Sequence, residues 1–308
     1  MSKKVILIGG TGRNGSTLLD LMIGNDPKGF SAGELYYLFR PNKPSVKLNK
    51  GDCFCNKKNC SFWSSIKDKC NEKVIYDCLF NELNIDFIVD SSKNPLWIRK
   101  QINYGSNKNY EIIPIIIYKT PLEYAYSRYK RDDLDIWKKS YLKVHKSIFY
   151  IMDDFVTIKY KDLAKNPSKK LKSICDSIGI DYFKGKEKFW NNDNTNHLIR
   201  GSPTLKKAND IVYYEDQYDQ GKIDYLKKNI TINSEVKKVF EVLNGFEIDS
   251  SKKEKRSAKK IKDEIMENNP QDILIRSLRL SPYYWINLPI NLSFKLMEKF
   301  GFDYWRCI

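Results

Sequence analysis

Gly10-Thr11-Gly12-Arg13-Asn14-Gly15-Ser16-Thr17 gathers three glycines, a guanidinium and four small polar side chains within eight residues. That composition suits an anion held on backbone N–H groups, with Arg13 as a forked cationic donor. Two phosphate-binding patterns overlap in it. Gly10, Gly12 and Gly15 spell GxGxxG, and Glu34 lies 19 residues after Gly15, about where a dinucleotide fold places its ribose-binding acid. Gly10 and Gly15 also frame a Walker A loop, but Ser16 occupies the lysine position and removes the charge a nucleoside triphosphatase needs near its β- and γ-phosphates. A P-loop-type nucleotide kinase or triphosphatase and a dinucleotide-binding oxidoreductase both stay open as alternatives.

The elements that must position this loop read as an α/β pattern. Val5–Ile8 is a short buried strand, and a helix is expected over about Ser16–Ile23. Phe87–Asp90 is a second strand running into Ser91-Ser92-Lys93, and Ile112–Tyr118 is a third, interrupted by Pro114. In open parallel sheets ligands bind beyond the carboxyl ends of strands, so these polar clusters are expected in one crevice. Thr120-Pro121-Leu122-Glu123 is a helix start with Thr120 as N-cap, Pro121 at the first helical position and Glu123 completing a capping box. That helix is predicted to run through about Arg131. A fourth strand is expected at Phe155–Lys159, with helices at roughly 162–178 and 234–243 and an irregular segment around 190–212. The fold class is a P-loop-like three-layer α/β fold with a central, mostly parallel sheet flanked by helices.

The segment Gly10-Thr11-Gly12-Arg13-Asn14-Gly15-Ser16-Thr17-Leu18-Leu19 resembles the 5′-phosphosulfate loop of the sulfotransferases that use 3′-phosphoadenosine 5′-phosphosulfate (PAPS), with Asn14 in place of the usual serine. The likeness continues in order along roughly the first 210 residues. It implies that Gly12, Arg13, Asn14, Gly15, Ser16 and Thr17 bind the donor. Gly33-Glu34 matches the G-E pair of the branch with a glutamate base, which includes the tyrosylprotein sulfotransferases. Asp90-Ser91-Ser92-Lys93-Asn94-Pro95 matches the segment whose lysine approaches the oxygen bridging phosphate and sulfuryl group. The resemblance thus makes Glu34, Lys93 and Arg13 the catalytic set. Lys119 and Ser127, eight residues apart, match the 3′-phosphate motif, with Lys119 for its arginine and Thr120 for its aspartate. Lysine keeps the charge and loses the bidentate fork; Arg128 and Arg131 are candidates to compensate. His197-Leu198-Ile199-Arg200-Gly201-Ser202-Pro203 resembles a loop that closes over the nucleotide in bacterial sulfotransferases, and it adds Arg200 and Lys206 as donor ligands. The implied reaction moves a sulfuryl group from PAPS to an acceptor hydroxyl, carbohydrate being the leading acceptor class, with no metal required.

Seven cysteines without a recognisable secretion signal are read as thiols of a reducing, cytoplasmic compartment. Cys53, Cys55 and Cys60 form C-x-C-x4-C in the loop spanning roughly 41–63 and hint at zinc. No fourth ligand is evident at suitable spacing, so a structural loop is the expected reading, with Cys70 the obvious fourth ligand otherwise. His145 and His197 lie in no metal-ligand pair, and no metal is expected. Lys and Arg exceed Asp and Glu by 54 to 38, a formal charge of +16, which by itself assigns no partner; nucleic acid is not expected. The main domain is drawn over 1–250. Beyond it, seven basic residues and one acid between Ser251 and Lys262 mark a charged helix or linker. The tail to 308 reads as a helical appendage packing on the core, a second copy or a membrane surface.

Overall fold

The computed structural model describes residues 2–39, 52–57, 60–191, 197–202, 205 and 219–267. A five-stranded, all-parallel sheet lies at its centre in the order β2-β3-β1-β4-β5, with β1 Lys3–Gly9, β2 Gly29–Gly33, β3 Phe87–Lys93, β4 Tyr110–Tyr118 and β5 Val156–Lys159. Helices cover both faces, as a parallel sheet requires. Alternation along β1 divides the core. Ile6 and Ile8 pack with α1 (Ser16–Gly24) and hydrophobics from Pro167–Ile178, while Val5 and Leu7 face the cluster that holds α3 (Ile75–Leu83), α4 (Pro95–Gly105) and α6 (Trp137–Ile151).

Pro114 does not interrupt the third strand. β5 begins its ladder opposite Ile115, so Pro114 has a strand neighbour, Leu7, on one side only and its missing N–H breaks no bond to β5. The Thr120 capping box is present in full: the Thr120 hydroxyl accepts from the Glu123 N–H, and the Glu123 carboxylate accepts from the Thr120 N–H. The helix it starts, α5, spans Pro121–Tyr129 and stops short of Arg131. The helix expected at 162–178 is two, α7 (Tyr160–Lys165) and α8 (Pro167–Ile178), because Pro167 opens a new first turn. α9 (Gln220–Asn229), α10 (Ser234–Gly245) and α11 (Lys252–Glu267) follow.

The basic run from 252 is thus helical, and it belongs to the folded body. A Cβ at Gly245 of α10 would lie 2.4 Å from the Cβ of Ala258, so the two helices touch through their smallest residues. Lys262, nearly buried, donates to the Met152 carbonyl at 2.7 Å. The tail beyond 267 lies outside the described residues, and among those described no helix is long and apolar enough to cross a membrane. α2 (Ser61–Lys69) and α3 are joined by a Cys70–Cys78 disulfide, which corrects the reading of all the cysteines as thiols. It also removes Cys70 as a metal ligand.

Candidate functional site

The glycine loop connects β1 to α1 in the conformation its glycines permit. Gly10 has φ 129° and Gly15 φ 96°. A Cβ at Gly10 would stand 2.3 Å from the Ile117 carbonyl oxygen, and one at Gly15 would stand 2.3 Å from the Tyr160 ring. Nothing lies within 4 Å of a Cβ at Gly12, the exposed crown of the loop. The Asn14 side chain points inward and is fully buried: its amide donates to the Ile117 carbonyl at 2.5 Å, and its carbonyl oxygen accepts from the Ser16 N–H at 3.2 Å. Asn14 therefore ties the loop to β4, and what it offers a ligand is backbone. Arg13 is exposed beside it with φ 71°.

β3 brings Lys93 to this loop, since the β1–β3 register pairs Gly9 with Lys93. β2 brings Glu34, since Gly33 pairs with Asp90 on the other side of β3. The result is an ion pair, Lys93 Nζ to Glu34 Oε1 at 2.5 Å, with both side chains less than one-fifth exposed. Lys93 also donates to the Ser91 carbonyl at 3.2 Å. Glu34 is held by its backbone: its N–H donates to the Ile199 carbonyl at 2.9 Å and its carbonyl accepts from Tyr37 at 3.0 Å. Gly33, at φ 73°, allows this approach, because a Cβ there would meet the Ile199 oxygen at 2.3 Å.

A polar floor lies beneath the pair, and the sequence did not reveal it. Asp90 is buried and accepts from Tyr76 Oη and Trp97 Nε1, each at 2.7 Å, and from the Ser92 N–H and hydroxyl. Ser92 Oγ in turn accepts from the Tyr36 N–H at 3.0 Å, which anchors the 3-10 turn Leu35–Phe39 that follows Glu34. Ser91 donates to Asp20 of α1 at 2.6 Å. Burial pushes the Asp20 carboxyl up to about 8, opposed by the Ser91 hydrogen bond. Burial raises Asp90 as well, against its four hydrogen bonds. An acid followed by Ser-Ser-Lys at a strand end was the only available signal.

At the end of β4, Lys119 and Ser127 meet, with Lys119 Nζ donating to Ser127 Oγ at 2.9 Å. The hydroxyl donates onward to the Glu123 carbonyl at 3.0 Å. Lys119 is 8% exposed, and its ammonium lies 4.5 Å over the Tyr160 ring. Burial lowers its pKa to about 8, with the Glu123 charge opposing. Arg128 is engaged elsewhere: it donates to Asp133 at 2.6 Å and to Tyr124 Oη at 3.0 Å. Arg200, at φ 52°, is 3.3 Å from Asp52 and lies over the Tyr37 ring. Ser202 N donates to Thr17 Oγ1 at 3.3 Å, so the segment that carries Arg200 does reach the loop helix. Lys206 lies outside the described residues.

Residues 52–54 meet that same segment. Cys53 pairs with Ile199 in an antiparallel bridge, Phe54 N donates to Leu198 O at 3.0 Å, and Arg200 N donates to Asp52 O at 2.7 Å. Cys53, Cys55, Cys60 and His197 converge there, their ligand atoms all within 4.8 Å of one another. Burial raises the Cys53 and Cys60 thiols, and burial followed by the Lys57 charge lowers His197. His145, fully buried in α6, is held to about 3 by burial, opposed by a hydrogen bond to the Tyr141 backbone, and is hence neutral.

A glycine loop at the head of a helix, with basic residues on the neighbouring strand ends of a parallel sheet, defines a P-loop-like three-layer α/β protein. Within that class the fold is that of sulfotransferase domains. The sulfotransferase domain from the curacin biosynthetic pathway superposes with a TM-score of 0.57 at 16% identity, covering 79% of this chain and 98% of that one. The sulfotransferase domain from the Synechococcus PCC 7002 olefin synthase gives a TM-score of 0.57 at 16% identity over 79% of this chain and 95% of its own. No protein-family profile matches the chain, and no curated protein matches it significantly in sequence.

Proposed function

We propose that this chain is a sulfotransferase that moves a sulfuryl group from PAPS to an acceptor hydroxyl, with carbohydrate as the leading acceptor class. The observation that carries the proposal is the Glu34–Lys93 pair, a base and a cation 2.5 Å apart at adjacent strand ends beside Gly9, where the glycine loop begins. In the resting site the two charges satisfy each other. When donor arrives, Lys93 turns to the oxygen bridging phosphate and sulfur, and Glu34 is released to accept the proton of the acceptor hydroxyl. The acceptor oxygen attacks sulfur in line, the bond from sulfur to the bridging oxygen breaks, and its electron pair leaves with adenosine 3′,5′-bisphosphate. Lys93 meets charge that grows on that oxygen only in the transition state. Arg13 and the loop N–H groups hold the sulfuryl and 5′-phosphate oxygens, and Lys119 with Ser127 holds the 3′-phosphate.

Backbone geometry supports this assignment. Among the described residues six non-glycine positions have positive φ, and Arg13, Lys93 and Arg200 are three of them. Such conformations cost about 1–3 kcal/mol each and collect at ligand-binding sites. Titration calorimetry with adenosine 3′,5′-bisphosphate and with 5′-AMP tests the reading: the bisphosphate is expected to bind much the tighter of the two. Equal affinities, with no transfer of radiolabelled sulfuryl from PAPS to any hydroxyl acceptor, would refute it.

A further inference from the structure

We propose that Cys53, Cys55, Cys60 and His197 form a structural zinc site that pins residues 52–57 and the head of α2 to the 197–202 segment. This inference does not rest on the sulfotransferase reading. Three sulfurs and one imidazole nitrogen form the borderline-soft, four-ligand set that selects zinc over harder cations, and four protein ligands leave no open position for catalysis. The distances suit it. A tetrahedral zinc with bonds of about 2.3 Å to sulfur and about 2.0 Å to nitrogen places sulfur and nitrogen about 3.5 Å apart. Cys60 Sγ and Cys53 Sγ lie 3.3 and 3.9 Å from His197 Nδ1. All four ligand atoms lie within 4.8 Å of one another, against about 3.8 Å between the sulfurs of a tetrahedral zinc site.

The surroundings point the same way. Cys60 is the N-cap of α2, so the helix start fixes its place in the chain. Phe62 stacks on the His197 ring at 4.7 Å, and Trp63 Nε1 donates to the His197 backbone carbonyl, so the ring and the backbone of His197 are each held by a neighbour on α2. None of the three cysteines is in a disulfide; the Cys70–Cys78 bond lies at the far end of α2. Zinc binding would displace the three thiol protons and leave a site of net charge −1.

The consequence concerns the neighbouring crevice. His197 lies 137 residues beyond Cys60, so the metal closes a long loop. The segment it fixes supplies the Ile199 carbonyl that holds Glu34 and the Ser202 N–H that meets Thr17. Zinc would thus hold the backbone of Glu34 in place without touching it.

The test is elemental analysis of the full chain, purified without a metal-affinity step, followed by cobalt replacement after chelation. One zinc per chain is expected, together with the strong visible absorption of tetrahedral cobalt and thiolate-to-cobalt charge transfer in the near ultraviolet. Cys55→Ser and His197→Ala should lose both signatures. His197→Cys, which restores a fourth ligand, should regain them, and Cys70→Ser should keep them. The proposal is overturned if the wild-type chain holds no zinc and gives only octahedral cobalt absorption, if iron occupies the site, or if His197→Ala retains full zinc. Folding of each variant is checked by circular dichroism, and the His197→Cys regain separates loss of a ligand from loss of the fold.

Discussion

Lys119 ties the proposed donor selectivity to a measurable proton. It is nearly buried, its ammonium touches a serine hydroxyl and an aromatic face, and its pKa is lowered to about 8. The proposed 3′-phosphate site is therefore charged at pH 7 and mostly neutral at pH 9. A phosphomonoester with a second pKa near 6 is a dianion at both values, so the ligand contributes no titration of its own. Binding to the charged form alone weakens the apparent affinity by the factor 1 + 10^(pH − pKa), which makes adenosine 3′,5′-bisphosphate bind roughly 10-fold less tightly at pH 9 than at pH 7. Calorimetry at the two pH values reads this directly. 5′-AMP is the control, because it senses every other titration in the crevice, Asp20 included, and lacks the phosphate that Lys119 would meet. Lys119→Met should cost roughly 10- to 150-fold in bisphosphate affinity, the worth of a charge-assisted hydrogen bond, and should flatten the pH dependence. Unchanged affinity between pH 7 and pH 9, or the same loss for 5′-AMP, would show that Lys119 does not bind the 3′-phosphate.

Glu34→Gln should lower turnover by about 100-fold or more, the usual worth of a positioned general base, while bisphosphate binding persists; near-normal single-turnover transfer would remove Glu34 from that role. Gly15→Ala places a methyl 2.3 Å from the Tyr160 ring at φ 96°, and a loss of about 2 kcal/mol or more in urea denaturation is expected, which a wild-type midpoint would contradict. Asp20 has a raised native pKa, so it holds its proton in the folded chain over a range where the unfolded chain has lost it, and its contribution to stability falls as pH rises toward about 8. Lys119 works in the opposite direction above neutral pH, so the quantity to measure is the difference between wild type and Asp20→Asn. The variant should gain about 1 kcal/mol relative to wild type between pH 7 and pH 9, and a constant difference would place the Asp20 titration elsewhere.

Much of the fold was legible because its signals are local. The apolar runs of β1, β3 and β4, the glycine loop and the Thr120 capping box each state their conformation within a few residues. β2 was not legible as a strand: Gly29-Phe30-Ser31-Ala32-Gly33 carries no apolar run, and its small residues answer to neighbours elsewhere. A Cβ at Gly29 would meet the Phe87 ring at 2.5 Å, and one at Gly24 would meet Ser31 Oγ at 2.1 Å.

By itself the sequence determined which residues were available for chemistry: a glycine loop with Arg13, then Glu34, Lys93, and the Lys119 and Ser127 spacing. Only the tertiary structure decided which of them act together. The β2–β3 and β1–β3 registers bring Glu34 against Lys93 beside the loop, whereas Asp133 and Asp52 draw Arg128 and Arg200 into ion pairs of their own. The cysteine loop shows the same division. Cys53, Cys55 and Cys60 were read as a structural loop for want of a fourth ligand; Cys70, the nearest candidate in sequence, went to Cys78, and His197 comes beside them from a distant segment, next to the backbone bridge between Cys53 and Ile199. A pairing across more than a hundred residues leaves no mark on either partner's neighbours in sequence, because it is made by sheet register and packing.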